Sequence, residues 1–461
     1  MKFSNGKASD IQIAYIGGGS MYWAKNLIAD LALDEELSGK VRLYDLDYGK
    51  AKKNEKLGNS VSDYAEAKSK WMYEAYETLA DALTGSDFVF ISILPGTFAE
   101  MHSDVHEPEK YGIYQPVGDT TGPGGLVRAL RTIPMYVEFA QAIEKYAPDA
   151  WVFNYTNPMT LCTRTLYEVF PKIKAFGCCH EIFGTQGLLI RMLRDLEGIE
   201  ELHRDDIRVN VLGINHFTWI DQATYKNVDL FPLYRQFVDK YYEEGFEHNK
   251  DAWKTNTYTA ANRVKFDLFR RYGLIAAAGD RHLAEFVPPW YTKDPETVRA
   301  WKFGLTTVPS RVDKHKATEE QYNKLIGGQE KLVLKASGEE EVRQLKGLIG
   351  LQPFVTNVNL PNVGQMQGVP LRAVVETNAA FSGNSLRPVH AGELPVEVNS
   401  LVMRHVLNQE TILKAALKRD KALAFSAFVN DPLVTIDIGP AEELFETMLG
   451  NTKAYLKGWE L

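Results

Sequence analysis

The sequence predicts an α/β protein, with a Rossmann-type, mostly parallel sheet followed by a second, mainly helical α+β lobe. Three observations carry that prediction. Short apolar runs alternate with helically spaced segments from Ile11 to Phe176, the rhythm of parallel strands joined by crossover helices. A strand, a glycine loop and a helix open the chain in immediate succession, the context a dinucleotide fingerprint requires. From Ile207 the rhythm changes, and the remainder is mostly helical. This divides the chain into a dinucleotide-binding domain over 1–206 and a substrate- and metal-binding α+β domain over 207–461.

Ile11–Ile16 reads as a buried strand, followed at once by Gly17-Gly18-Gly19-Ser20 and by helical spacing over Met21–Leu37. The glycines allow a tight turn, and the helix start offers free N–H groups and a positive dipole to the pyrophosphate of NAD. Tyr22 occupies the fingerprint's third glycine position. Val41–Tyr44 is a second strand ending in Asp45, a carboxylate placed for ribose hydroxyls, which favours NAD over NADP. Tyr73–Tyr76 and Phe88–Ile93 continue the alternation, the latter apolar on both faces as a covered parallel strand must be. Tyr111–Gly125 is rich in Gly and Pro and reads as an unburied loop. Asp119 within it is a candidate substrate contact or a plain turn residue. Leu126–Tyr146 is a long helix bearing Arg128 and Arg131. Trp151–Phe153 is the fifth strand, and Asn154 and Asn157 leave it at the sheet's carboxyl edge. Their amides suit sugar hydroxyls or the nicotinamide ribose, and Asn157 equally suits a helix N-cap.

The sixth strand, Ile173–Phe176, runs into Cys178-Cys179-His180-Glu181. A loop at a strand's carboxyl end is where an open α/β sheet places its ligand. These residues are either half-buried thiols beside a solvated His-Glu pair or part of a metal site. Ile207–Ile214 alternates as an antiparallel strand does and leads to Asn215 and His216. Gly279-Asp280-Arg281-His282 is a further polar centre. Helices are expected at Leu230–Tyr242, Asn256–Tyr272, Glu319–Ala336, Glu340–Leu348, Val396–Lys418 and Ala441–Leu456, and strands at Val355–Asn359 and Leu371–Thr377. Alone, His216 reads as a core histidine. Paired with Cys179 from a separate element it would hold a divalent ion with open coordination positions, as a catalytic metal needs. Nicotinamide, Lewis-acid metal and carboxylate base together point to oxidation of a secondary alcohol.

The totals exclude other classes. A net charge of −8 gives no reason to expect nucleic acid or an anionic membrane as partner. Three cysteines without a CxxC suit a reducing compartment, and Phe88–Leu94, the longest apolar run, is far short of a membrane span. A cytoplasmic protein is expected. A 2-hydroxy-acid dehydrogenase of the malate or lactate type shares the expected fold but needs no metal. A non-catalytic NAD-binding regulator leaves Cys179 and His216 without a role.

Five motifs in this order resemble the family-4 glycoside hydrolases: Gly17-Gly18-Gly19-Ser20, Gly122-Pro123-Gly124-Gly125, Asn154-Tyr155-Thr156-Asn157-Pro158, Cys179-His180 and Gly213-Ile214-Asn215-His216. These are NAD- and metal-dependent glycosidases, an exception to the two-carboxylate scheme. Cys179-His180-Glu181-Ile182 resembles the Cys-His-Glu-Val pattern of the α-galacturonidase branch, with Ile for Val. The resemblance implies cleavage of an α-galacturonide by oxidation at C3, proton removal at C2 and elimination at C1. An α-glucuronidase, α-galactosidase or α-glucosidase of the same family is the alternative. It implies Cys179 and His216 as ligands of Mn²⁺ or another divalent metal, and Asn154 at substrate and nicotinamide. Asp280 or Tyr258 would be the base, with His180 as proton donor. Asp119, Glu181 and Asn215 are further substrate contacts. The uronate carboxylate needs a cation, for which Arg281 comes first and Arg131 and Arg128 after it. The partner is then a small uronate-containing saccharide, handled by a homo-oligomer, a dimer or tetramer.

Overall fold

The structure, a computed structural model, describes residues 1–460. Six strands form a parallel sheet: β1 (Lys7–Ile16), β2 (Leu37–Tyr44), β3 (Trp71–Tyr76), β4 (Phe88–Ile91), β5 (Trp151–Asn154) and β6 (Lys174–Gly177). Their spatial order is β3-β2-β1-β4-β5-β6, the doubly wound dinucleotide-binding order, whose switch point lies between β1 and β4. The loops after β1, β4, β5 and β6 therefore open on one edge of the sheet. The inner strand β4 is apolar on both faces and all four of its residues are buried, whereas β2 and β3, toward the sheet's edge, alternate buried with partly exposed residues.

The second half adds a hairpin, β7 (Ile207–Ile214) and β8 (Phe217–Tyr225), paired antiparallel with Ile214 opposite Phe217. It also adds β9 (Phe354–Pro361), β10 (Val374–Phe381) and β11 (Leu386–Pro388), which extend the large sheet antiparallel beyond β6, with Asn359 opposite Gly177. The sheet thus draws on both sides of residue 206. An aromatic row fastens the extension: Phe90 stacks on Phe153 with centroids 4.4 Å apart, Phe153 meets Phe176 at 4.6 Å, and Phe176 meets Phe381 at 5.3 Å. Offset aromatic contacts of this kind add to the area they bury.

Two expectations are corrected. The helix expected at Glu319–Ala336 lies at Val308–Ile326, with Pro309 in its first turn and Gly327-Gly328 after its end, the usual asymmetry of proline at the start and glycine past the end. Gly122–Gly125, expected in an unburied loop, are the buried first turn of the helix Gly122–Tyr146. Close packing demands glycine there: a Cβ on Gly124 would stand 2.4 Å from the Asp104 carbonyl oxygen, and one on Gly125 2.5 Å from Thr120. Among the described residues no helix is long and apolar enough to cross a membrane.

Candidate functional site

At the carboxyl edge of the sheet, three side chains from distant parts of the chain converge. Asp119 precedes the helix Gly122–Tyr146, His216 is in the β7–β8 turn, and His282 is in the short helix Asp280–Leu283. One ligand atom from each lies within 4.8 Å of the others. The two imidazoles stack at 3.8 Å. His216 is held in the left-handed region at φ 65°, a conformation that costs a non-glycine residue roughly 1 kcal/mol or more and persists where the surroundings enforce it.

Hydrogen bonds set the donor atoms. The Thr120 hydroxyl donates to Asp119 Oδ1 at 2.7 Å and also lies 2.9 Å from His216 Nδ1. Its single proton goes to the carboxylate, so His216 must bring its own on Nδ1, which leaves Nε2 as a free lone pair. Burial and the neighbouring His282 push the His216 imidazole down to about 3, and burial pulls His282 down as well. Burial works to raise the Asp119 carboxyl, but His216, Arg128 and His282 overcome it and hold the group well below the usual carboxylate range. At neutral pH the centre is one carboxylate and two neutral imidazoles, a donor set for a divalent cation with positions left open.

Around this centre lies a second layer. Glu181 Oε1 is 3.7 Å from His282 Nε2, and its other oxygen accepts the Gly279 amide at 2.7 Å. Burial opposes its ionisation, yet His282, His216 and His180 bring its carboxyl down to about 2. Asn215 donates to Glu376 at 3.2 Å, and Asn357 and Asn359 donate to the same carboxylate at 2.8 and 3.0 Å. Burial still lifts Glu376 to about 7. Cys179 is buried beside Asn215 and outside the group of three; burial, then Glu376 and Glu181, push its thiol well above its ordinary value. Such a thiol ionises only with a cation against it.

The glycine loop after β1 is tightly built. Gly17 has φ 89°, and a Cβ there would meet the Ser92 carbonyl oxygen at 1.9 Å; one on Gly18 would stand 2.9 Å from the Leu43 Cα. Gly19 N–H donates to Asp45 at 2.9 Å, so the acid at the end of β2 lies beside the glycine turn. Ser20 Oγ accepts the amide of Trp23, the first residue of the helix Trp23–Leu33, at 3.0 Å.

With this geometry in place, comparison with known proteins is decisive. Residues 12–195 match the family 4 glycosyl hydrolase model, and residues 211–434 match the family 4 glycosyl hydrolase C-terminal domain. The chain belongs to glycosyl hydrolase family 4. It is 64% identical over the full length of both chains to an α-galacturonidase of Thermoanaerobacterium saccharolyticum. It is 52% identical to an α-galacturonidase of Bacillus subtilis, over 95% of this chain and 97% of that one. The crystal structure of the putative glucosidase lplD from Bacillus subtilis superposes with a TM-score of 0.92 at 52% identity, covering 96% of this chain and all of that one. A 6-phospho-α-glucosidase from gut microorganisms, solved with NAD and Mn²⁺, shares the fold with a TM-score of 0.80 at 20% identity, over 98% and 100% of the two chains.

Within this family 4 fold the remaining sequence expectations distribute unevenly. Asp280 is buried close to the centre, but its oxygens accept the Val264 and Lys265 amides at 3.2 and 3.1 Å, in the first turn of the helix Arg263–Tyr272. Burial raises it to about 6 against the pull of Lys265. Lys265, itself buried and brought down to about 8 by burial, donates to Thr185 at 2.7 Å. His180 Nδ1 lies 3.1 Å from Glu339, and that bond raises its imidazole to about 9. Tyr258 is half exposed, with the Arg281 guanidinium 5.4 Å from its ring centroid. Asn154 is buried, accepting from Tyr136 and Thr156 and donating to the Thr156 carbonyl, which locks the turn after β5.

Arg131, expected as a cation for the substrate, is committed elsewhere: fully buried, it forms a bidentate pair with Asp104 and donates to the Pro95 carbonyl. Glu285, one turn after Arg281, accepts the Val117 and Gly118 amides. The sequence places His282 in a polar centre without marking it as a ligand, and gives Glu376 no role. A carboxylate with three asparagine donors arises only when β9 and β10 pair.

Proposed function

We propose that this protein is an α-galacturonidase working with NAD⁺ and a divalent ion such as Mn²⁺. The observation that carries the reading is full-length identity of 64% to an α-galacturonidase, in a chain whose Asp119, His216 and His282 form a metal-suited group. The residues present fit both groups. Two neutral imidazoles and a carboxylate suit Mn²⁺, and the glycine cradle after β1, which admits no Cβ, suits a pyrophosphate beside Asp45. When bound, NAD⁺ supplies a hydride acceptor and the ion a Lewis acid.

The chain's own groups supply the rest. Residues 1–206 hold the dinucleotide through Gly17, Gly18, Gly19, Ser20, Asp45 and Asn154. Residues 207–461, with Asp119 from the first half, hold metal and sugar. Cys179 is a further donor to the ion, and Asn215, oriented by Glu376, faces the sugar hydroxyls with Glu181. Asp280, lifted to about 6, takes a proton from the sugar, with Tyr258 the other group for that task. His180, kept protonated through neutral pH by Glu339, hands one to the departing oxygen. Arg281 faces the uronate carboxylate.

The test is hydrolysis of an α-galacturonide, an α-glucuronide and an α-galactoside side by side, with NAD⁺, Mn²⁺ and a reductant. The galacturonide should turn over fastest. A preference for either other substrate refutes the reading.

A further inference from the structure

Beside the metal-suited group lies a set of cationic side chains that form no ion pair among the described residues, Glu285 and Glu181 acting on Arg281 only from a distance. Arg281 is buried, and its guanidinium donates to the Pro116 carbonyl at 2.8 Å and to the Thr306 hydroxyl, neither of them an anion. Thr306 N–H also donates to Pro116 at 3.1 Å, which ties Arg281 to the residues just before the helix Val308–Ile326. That helix starts from a Thr307 cap, is fixed by the Val308 amide on His106 Nε2 at 3.1 Å, and packs Val308 on Met101 and Val105. Arg311 and Lys314, one turn apart, face the same way. Lys314 Nζ stands 4.2 Å from the Tyr258 ring centroid, and the Arg281 guanidinium 5.4 Å from that same ring. The buried Nε of Arg281 and the buried Nε of Arg311 both lack a hydrogen-bond partner. The Arg281 guanidinium is pulled down by burial first and by Arg311 next, and Arg311 acts likewise on Arg128, which faces Asp119.

Unpaired buried donors of one sign cost free energy unless something else uses them. A planar anion with two oxygens matches two guanidinium edges. We propose that Arg311 and Lys314, with Arg281, form the subsite that grips the substrate's C6 carboxylate and so selects uronides over neutral sugars. The subsite rests on the galacturonidase reading and adds residues from a helix outside the metal-suited group.

The experiment uses the full-length protein with NAD⁺ and Mn²⁺, in wild-type, Arg311→Met, Arg311→Lys and Lys314→Met forms. Two quantities are read: the ratio of kcat/KM for p-nitrophenyl α-galacturonide to that for p-nitrophenyl α-galactoside, and calorimetric binding of D-galacturonate against D-galactose. Arg311→Met should lower the ratio by roughly 10- to 100-fold, the scale of one charge-assisted hydrogen bond, with the loss falling on KM. Arg311→Lys should recover part of it, and galacturonate binding should weaken in step. A folded Arg311→Met protein with the wild-type ratio overturns the proposal. Should that variant fail to fold, exposed Lys314→Met carries the test, and an unaltered ratio there overturns it equally. A wild-type enzyme with no preference for the uronide, and no preference for galacturonate over galactose, brings down the galacturonidase reading and the subsite together. A wild-type preference that the variants leave intact brings down the subsite alone.

Discussion

Replacing Asp119 by Asn keeps the shape of the side chain and its acceptor for Thr120, and removes the one charge that the group of three contributes. The structure gives the scale of the loss. A single negative charge acting on a 2+ ion at ~4 Å, with an effective dielectric of ~20, is worth about 8 kcal/mol before desolvation. Desolvation of ion and carboxylate returns most of that. A net ~3 kcal/mol remains, which is ~100-fold in Mn²⁺ affinity. Thermal melting of the NAD-free protein at a Mn²⁺ concentration of ~100 Kd reads this directly. The wild type should gain ~2.7 kcal/mol from the ion, and the variant, with ligand near its own Kd, only ~0.4 kcal/mol. The metal-free variant should also melt below the wild type. A carboxyl held below its unfolded value contributes stability above that value, loses it as pH falls through the folded one, and is absent in an amide. An Asp119→Asn protein with the full Mn²⁺-induced shift would show that Asp119 is no ligand, and the reading of the site would fail with it.

Three further outcomes are expected. Cys179→Ser should lose most Mn²⁺ affinity and nearly all glycosidase activity, and an isothermal titration showing wild-type affinity would exclude the thiol from the site. Glu285 is lifted by burial to about 8, so deprotonating it costs stability as pH rises from its ordinary value through about 8. Glu285→Gln should remove that part of the decline between pH 5 and 8, and melting curves with the wild-type slope would show the group ionises freely. Gly17→Ala should destabilise the fold by ~2 kcal/mol or more, because its φ is positive and its Cβ would strike the Ser92 carbonyl; an unchanged melting temperature would mean the loop after β1 is not built as described.

The sheet was legible because its signal is local. Apolar runs such as Phe88–Ile91 and the glycines after Ile16 report their own backbone needs within a few residues. The helix Val396–Lys418 was readable from end to end for the same reason. Misplacement came where distant packing overrides local composition. Gly124 and Gly125 look like part of a loop, yet they are glycines because Asp104 and Thr120 press against them. Arg131 looks available for substrate, yet Asp104 from another helix takes it.

By itself the sequence determined the α/β class, the glycine turn after the first strand and the family, since five short motifs in order need no knowledge of what they touch. Only the tertiary structure shows which groups come close enough to share one ion, with Cys179 a donor the proposal adds from beside them. Asp119, His216 and His282 are spread over 119–282 and belong to three separate elements, and Cys179 lies outside their group. A coordination shell is a matter of distances of a few ångströms, and sequence separation carries no information about those until the sheet and its loops have closed.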